Sequence, residues 1–273
     1  MLSLKFRNSF LIGRIVSLLQ RNLQVCPAPM QPNSLDRYFS ESPLLAEPVA
    51  GVSPLVTISG SEAHHMANVM RARPGDEFEL FDGRGSQFHA RVTEVSRSKV
   101  ELAILSEESV SRELPFFLAV AVALPKGDRQ KWLIEKLVEL GVTKVIPVVT
   151  QRSVAQPSAK ALERLRRGVV EASKQCRRNR LMEIVEPTNW SEFVSQASSG
   201  RGLYFVAHPY ETSHPGELPA ESSDATIAVG PEGGFSEAEI SQALKHGWQS
   251  LQFGPRVLRV ETAAIALVAA LIS

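Results

Sequence analysis

Two successive patterns predict an α/β protein that carries a smaller β-rich domain in front of it. Residues 116–124 form an unbroken apolar run, which a strand buried on both faces requires. From there on, apolar runs of strand length alternate with stretches of helical periodicity, the order that builds βαβ units and a parallel sheet. Before residue 111, short alternating runs follow one another between turns, which reads as a small antiparallel β-barrel. The implied division is residues 1–34 as a leader and linker, 35–111 as the barrel domain and 112–273 as the α/β domain.

The leader is legible from charge. No acidic residue precedes Asp36, whereas Lys5, Arg7, Arg14 and Arg21 are basic and serines are interspersed. The three arginines recur every seven residues, so a helix would gather them on one face and leave Phe10, Leu11, Ile15, Leu18 and Leu19 on the others. That is transit-peptide chemistry, with a disordered cytosolic extension as the alternative. A secretory signal would need an uninterrupted apolar core, and Arg14 interrupts it. Pro27, Pro29, Pro32 and Asn33 then read as a linker.

In the first domain, strands are expected near residues 55–59, 77–81, 87–95 and 99–105, with a helical interlude over 61–70 and a turn at Asp82-Gly83. His64 and His65 have no partners at metal-ligand spacing. In the second, Asp128 is a candidate cap for a helix sharing Leu133, Leu137 and Leu140 on one face, ended by Gly141 before a strand at 142–149. A long helix over residues 158–179 follows, then strands near 182–185, 203–207, 226–229 and 250–253. Ser236 and Glu239 have the spacing of a capping box, and a last helix is expected over 262–272.

Composition excludes several classes. With 273 residues, 44% hydrophobic and 22% charged, the chain has a globular profile, and no run reaches the roughly 18 apolar residues of a membrane-spanning helix. Its 30 basic and 29 acidic residues make no polycation, so a nucleic-acid surface requires local clustering. Such a cluster exists between Lys160 and Arg180, with eight basic residues against two acidic ones. With Arg37, Arg71 and Arg73 from the first domain, and Arg178 and Arg180 at its own end, it is a candidate phosphate-binding surface, or else a solvated helix face. Cys26 and Cys176 lack zinc-ligand surroundings; a leader removed with Cys26 would leave a single thiol, as suits a reducing compartment.

Ligands of open α/β sheets sit beyond the carboxyl ends of the strands. Two segments there are unusual. Gly230-Pro231-Glu232-Gly233-Gly234 brings bare backbone close to whatever occupies the crevice, yet lacks both the lysine of a phosphate loop and the spacing of a dinucleotide fingerprint. One carboxylate and no lysine suit a ligand that carries positive charge and no phosphate, as S-adenosylmethionine does. Taken alone, the loop also reads as an ordinary turn. The second segment, residues 253–262, sets Arg256, Arg259 and Glu261 just before a helix that Glu261 or Thr262 is placed to cap; solvated arginines on a capped loop are the other reading.

Five ordered motifs then come together: Lys126-Gly127-Asp128; Glu135-Lys136 with Glu139-Leu140-Gly141; Gln175-Cys176 with Arg178-Asn179-Arg180; GPEGG at 230–234; and GPRVLRVETA at 254–263. In this set the chain resembles the bacterial-type 16S ribosomal RNA (uracil-N3) methyltransferase family of the SPOUT superfamily, over nearly everything after the leader. The resemblance implies a PUA-like RNA-binding barrel and a methyltransferase domain tied in a deep trefoil knot, a rare exception to unknotted topology. It implies S-adenosylmethionine held by His208, Gly230, Pro231, Glu232, Gly233, Gly234, Phe253, Gly254, Leu258, Arg259, Thr262 and Ala263. It further implies a homodimer acting on small-subunit ribosomal RNA, free or assembled, with no metal and no membrane. Family members commonly have Leu where this chain has Phe253, and Thr where it has Val260, which are mild departures.

For N3 methylation, loss of the imide proton leaves negative charge on the uracil, and a guanidinium such as Arg259 is the expected stabiliser. Glu261 is expected to orient Arg259 or cap the helix, or to act as base if its pKa is raised. With the leader, the expected setting is an organelle, plastid or mitochondrion, with the cytoplasm as alternative. A non-catalytic RNA-binding protein of ribosome assembly and a nicotinamide oxidoreductase are the rival readings, and the absent dinucleotide fingerprint disfavours the second.

Overall fold

The computed structural model describes residues 35–46, 53–153, 157–197, 202–208, 224–252 and 254–272. The expected leader and linker, Cys26 included, lie outside these residues, as does Phe253.

The first domain contains β1 (Arg37–Phe39), β2 (Leu55–Ser59), α1 (Gly60–His64), β3 (Glu77–Phe81), β4 (Gln87–Val95) and β5 (Lys99–Glu108). They form one five-stranded sheet in the order β1-β3-β4-β5-β2, antiparallel except for the β1–β3 pair. That parallel pair departs from the all-antiparallel expectation. The chain between β1 and β3 carries β2 and α1, enough for the crossover that a parallel pair needs. Among the described residues β1 and β2, at the two ends of the path, are not paired with each other.

Alternation along the strands sends Val56 and Ile58, then Val100, Leu102 and Ile104, inward onto Tyr38, Met66, Phe78 and Leu80. Each such side chain is worth about 1.5–3 kcal/mol of transfer free energy when fully buried. The expected helix over 61–70 is in fact α1 running into a π-helical turn, His65–Val69. Arg71 then leaves it in the left-handed region, φ +56°.

The second domain contains β6 (Phe117–Val122), α2 (Asp128–Glu139), β7 (Lys144–Val149), α3 (Ala159–Cys176), β8 (Glu183–Ile184), β9 (Thr188–Asn189), α4 (Trp190–Ala197), β10 (Leu203–Ala207), β11 (Asp224–Val229), α5 (Glu237–Lys245), β12 (Gln249–Leu251) and α6 (Val260–Ile272). All its strand pairs are parallel, in the order β12-β10-β11-β6-β7-β8, with β9 also on β7.

The run 116–124 is buried on both faces as its composition predicts, but the two faces differ. Leu118, Val120 and Val122 pack into a cluster with Leu133, Leu137, Leu165 and Leu267 of the helices α2, α3 and α6. Ala119, Ala121 and Ala123 face the other side, where Trp190, Phe235 and Trp248 lie. Small side chains on that face leave room for the indoles, and the Trp190 and Phe235 rings sit 4.3 Å apart.

Two capping expectations are corrected. Asp128 is the first helical residue of α2, and Gly127, at φ +68°, holds the cap position. The last helix opens at Val260, so Glu261 and Thr262 lie inside its first turn and cap nothing. The capping box of Ser236 and Glu239 forms as its spacing predicts.

A candidate ligand site at three strand ends

From β6 the chain steps outward through β7 and β8, then returns to lay β10 with a gap beside β6 that β11 fills; β12 is added outside β10. The carboxyl ends of β10, β11 and β12 therefore lie side by side, and a cavity of about 220 Å³ opens beyond them.

Its apolar lining comes from Val229, Leu251, Val260, Ala263 and Leu267, and its polar groups from His208, Gln252, Glu232, Arg152 and Arg256. The glycine loop after β11 has a conformation that side chains would spoil. A Cβ on Gly230 would come within 3.0 Å of both the Phe235 ring and its backbone nitrogen. Gly234, at φ +70°, closes the turn by donating its N–H to the Pro231 carbonyl at 2.7 Å. Arg152, just past β7, donates from Nη1 to the Gly233 carbonyl at 2.8 Å and braces the loop from outside.

A second brace comes from α2. The Arg129 guanidinium pairs with Glu232 at 3.0 Å and lies 3.8 Å from Glu261, so it joins the loop to the start of α6. Glu261 is buried, and its Oε2 accepts no hydrogen bond among the described residues.

Of the residues singled out in the sequence, His208, Gly230, Pro231, Glu232, Gly233, Gly234, Gly254, Leu258 and Ala263 line this one cavity. Arg259, Glu261 and Thr262 do not line it; Arg259 and Thr262 are exposed beside it. Arg152, Phe235 and Gln252 line the cavity without having been singled out. The strand-end rule applied to β7 would have found Arg152; no local signal marks Arg129, whose role depends on two distant carboxylates.

Part of the expected basic surface is spent inside the molecule, while Lys160, Arg164, Arg166 and Arg167 stay exposed on α3. Arg178 is buried: it donates to the Val138 and Val142 carbonyls at 3.0 and 2.9 Å and pairs with Glu113. Arg37 is buried too, 3.4 Å from Glu79 and 4.1 Å over the Phe81 ring, and it donates to the Arg178 carbonyl at 2.8 Å. Burial pushes its pKa down to about 10 even with Glu79 alongside. Lys174 pairs with Glu62 at 2.8 Å and Arg177 with Glu79 at 3.0 Å. The end of α3 docks against a first domain that presents carboxylates, and these cations stitch the two together. Arg37 and Arg178 are accordingly removed from the RNA-facing set; Arg71, Arg73 and Arg180 are exposed. Cys176, at the end of α3, is half-buried, and burial pushes its thiol pKa up. His64 and His65 join no group able to hold a metal among the described residues.

Comparison with known proteins gives the following. A family model described as "RNA methyltransferase domain" matches residues 112–272, and one described as "RNA methyltransferase PUA domain" matches residues 58–105. The chain is 32% identical over 250 residues to Ribosomal RNA small subunit methyltransferase E of Bacillus subtilis, covering 87% of this chain and 96% of that protein. It is 30% identical over 267 residues to the protein of the same name from Synechocystis, covering 95% and 86%. Among solved structures, the Neisseria gonorrhoeae enzyme of that name, bound to S-adenosyl methionine, aligns with a TM-score of 0.78 at 30% identity, over 86% of this chain and 96% of that one. A Legionella pneumophila protein in complex with the bound cofactor SAM aligns with a TM-score of 0.79 at 30% identity, over 88% and 97%.

Proposed function

The chain belongs to the RNA methyltransferase family, of the ribosomal RNA small subunit methyltransferase E type, and on that premise we propose that it uses S-adenosylmethionine to methylate N3 of a uridine in small-subunit ribosomal RNA within an organelle. One observation carries the cofactor assignment: separate segments after β10, β11 and β12 converge on a single cavity whose backbone face is glycine and whose floor is apolar. The fit is chemical. Close-approaching backbone suits the adenosine and amino-acid parts, and apolar walls suit the ring. When bound, S-adenosylmethionine supplies a methyl group on a sulfonium centre.

The residues of the chain then have three tasks. Gly230 to Gly234, with Gly254 and Leu258, position the donor, and positioning accounts for much of the rate in such transfers. Arg259, exposed beside the cavity, stabilises the negative charge that the uracil imide acquires as its proton leaves. Glu261, buried in the first turn of α6 and facing Arg129, anchors that helix rather than taking the proton. The reading carries with it the deep trefoil knot and the homodimer of the SPOUT superfamily, and the acid-free leader supports the organelle address.

The test is methyl transfer from labelled S-adenosylmethionine to purified small-subunit RNA or subunits, with the product nucleoside identified by mass spectrometry. N3-methyluridine is expected. Donor uptake without any methylated nucleoside would leave only a binding protein, and a leader–reporter fusion that stays in the cytosol would overturn the organelle address.

A further inference from the structure

A second, polar cavity of about 210 Å³ opens where the two domains meet and shares no lining residue with the first. Arg84 and Arg180 line it together with Ser86, Ser109 and Ser111. Glu113 lines it too, but that carboxylate is already held by Arg178.

Arg84, from the first domain, and Arg180, from the second, are partners in an antiparallel bridge. The bonds flanking them run from Gly85 N–H to the Asn179 carbonyl at 3.0 Å and from Leu181 N–H to the Gly83 carbonyl at 3.1 Å. That pattern makes them a narrow, non-hydrogen-bonded pair, with both side chains leaving the same face and Cβ atoms roughly 4.5–5.5 Å apart. Like charges so opposed repel.

Little inside the protein offsets the repulsion. Arg84 has Asp82 only at 3.9 Å, with its own side chain 67% exposed, and Arg180 forms no ion pair among the described residues. The turn is nevertheless shaped to bring the pair together. A Cβ on Gly83 would collide with Leu181 at 2.6 Å, and one on Gly85 would press on Arg180 Nη2 at 3.3 Å. Both glycines have positive φ, +79° and +126°. An opposed cation pair kept beside a hydroxyl-lined cleft is the arrangement that an anion relieves.

We propose that this cleft seats a phosphodiester of the RNA substrate, gripped by Arg84 and Arg180 with the serine hydroxyls as further donors. The identity of the ligand rests on the RNA methyltransferase reading; a free phosphate has the same chemistry, and the test separates the two sources.

The full chain is compared with Arg84→Ser, Arg180→Gln, their combination and Arg180→Lys, by binding of small-subunit RNA across a salt series, by calorimetry with inorganic phosphate and with S-adenosylmethionine, and by thermal unfolding. The double variant is expected to bind RNA about tenfold or more weakly, with a salt slope smaller by about one unit per lost phosphate contact. Arg180→Lys is expected to keep the slope while losing part of the affinity. Donor binding and Tm are expected to hold, because removing one of two like charges does not weaken the junction. Equal RNA affinity and slope in the double variant overturns the seat while leaving the methyltransferase reading intact. Inorganic phosphate binding that the double variant abolishes without any change toward RNA assigns the cleft to a free anion and overturns the proposal. Failure of the unaltered chain to bind or methylate RNA sinks both readings together. Should the double variant unfold early, Arg84→Ser decides by the same RNA measurement, since that side chain is mostly in solvent.

Discussion

The Arg129 guanidinium lies 3.8 Å from the carboxylate of Glu261, the one buried acid in the first turn of α6, and its other face holds Glu232 of the glycine loop at 3.0 Å. Arg129→Ala should therefore leave Glu261 buried without a counter-charge. Because Arg129 is itself 38% exposed, the expected cost is about 1 kcal/mol rather than the several that a fully buried pair would lose. Urea denaturation of the single variants and of Arg129→Ala with Glu261→Gln checks this: the second substitution should recover most of the loss. A coupling energy of zero in that cycle would remove the brace from the account.

Gly230→Ala is expected to weaken S-adenosylmethionine binding about tenfold or more. Its new methyl group meets the Phe235 ring and backbone at 3.0 Å, and neither is a flexible side-chain end that gives way easily. Titration calorimetry reads the effect directly. Unchanged affinity would mean that the loop shifts without consequence, and that its glycine is there for the turn alone.

Arg259→Ala separates two roles. If the guanidinium stabilises the ionised base, turnover should fall by about 10²-fold or more while donor affinity stays near that of the unaltered chain. A loss of donor binding without a further loss of turnover makes it a cofactor ligand instead.

Arg178→Ala should be among the most damaging substitutions outside the cavity. It leaves the partly buried Glu113 without its cation and takes a donor from the Val138 and Val142 carbonyls, at an expected cost of about 3–5 kcal/mol. Arg178→Lys should rescue little, since one ammonium cannot reproduce the fork. Chemical denaturation checks both, and a variant as stable as the parent would show that Arg178 does not hold Glu113 to the end of α2.

Tyr38 supplies a pH signature. Burial, with Asp36 and Glu62 adding to it, raises its phenol from the ordinary 10 to about 12. The folded chain then holds a proton that the unfolded chain has lost, so stability is complete below pH 10 and declines as pH rises toward 12. Tyrosinate absorbance should show a late-titrating signal that Tyr38→Phe reduces, what remains coming from Tyr204, whose phenol pKa burial also raises.

Much of this molecule was legible from pattern alone. Apolar run lengths separated a sheet buried on both faces from an alternating one, because exposure to solvent on one side or neither is written into composition. Glycine at 230, 233 and 234 marked the loop, because absent side chains announce close approach. The capping box at Ser236 and Glu239 was equally plain, since its partners are three residues apart. The exact start of α6 was not: Val260 enters the helix because it packs against the core, a tertiary preference that no capping residue signals.

What sequence alone determined, then, was periodicity, loop chemistry and the family that the ordered motifs resemble, all properties of residues near one another in the chain. Only the tertiary structure decided the charges. Eight cations between Lys160 and Arg180 read as one basic surface in the sequence, yet four of them, Lys174, Arg177, Arg178 and Arg180, lie at the domain junction. The first three meet carboxylates there, and Arg180 is left facing Arg84. Coulomb energy depends on distance and burial in space, and partners such as Arg178 with Glu113, or Lys174 with Glu62, are too far apart in sequence for any local pattern to show them.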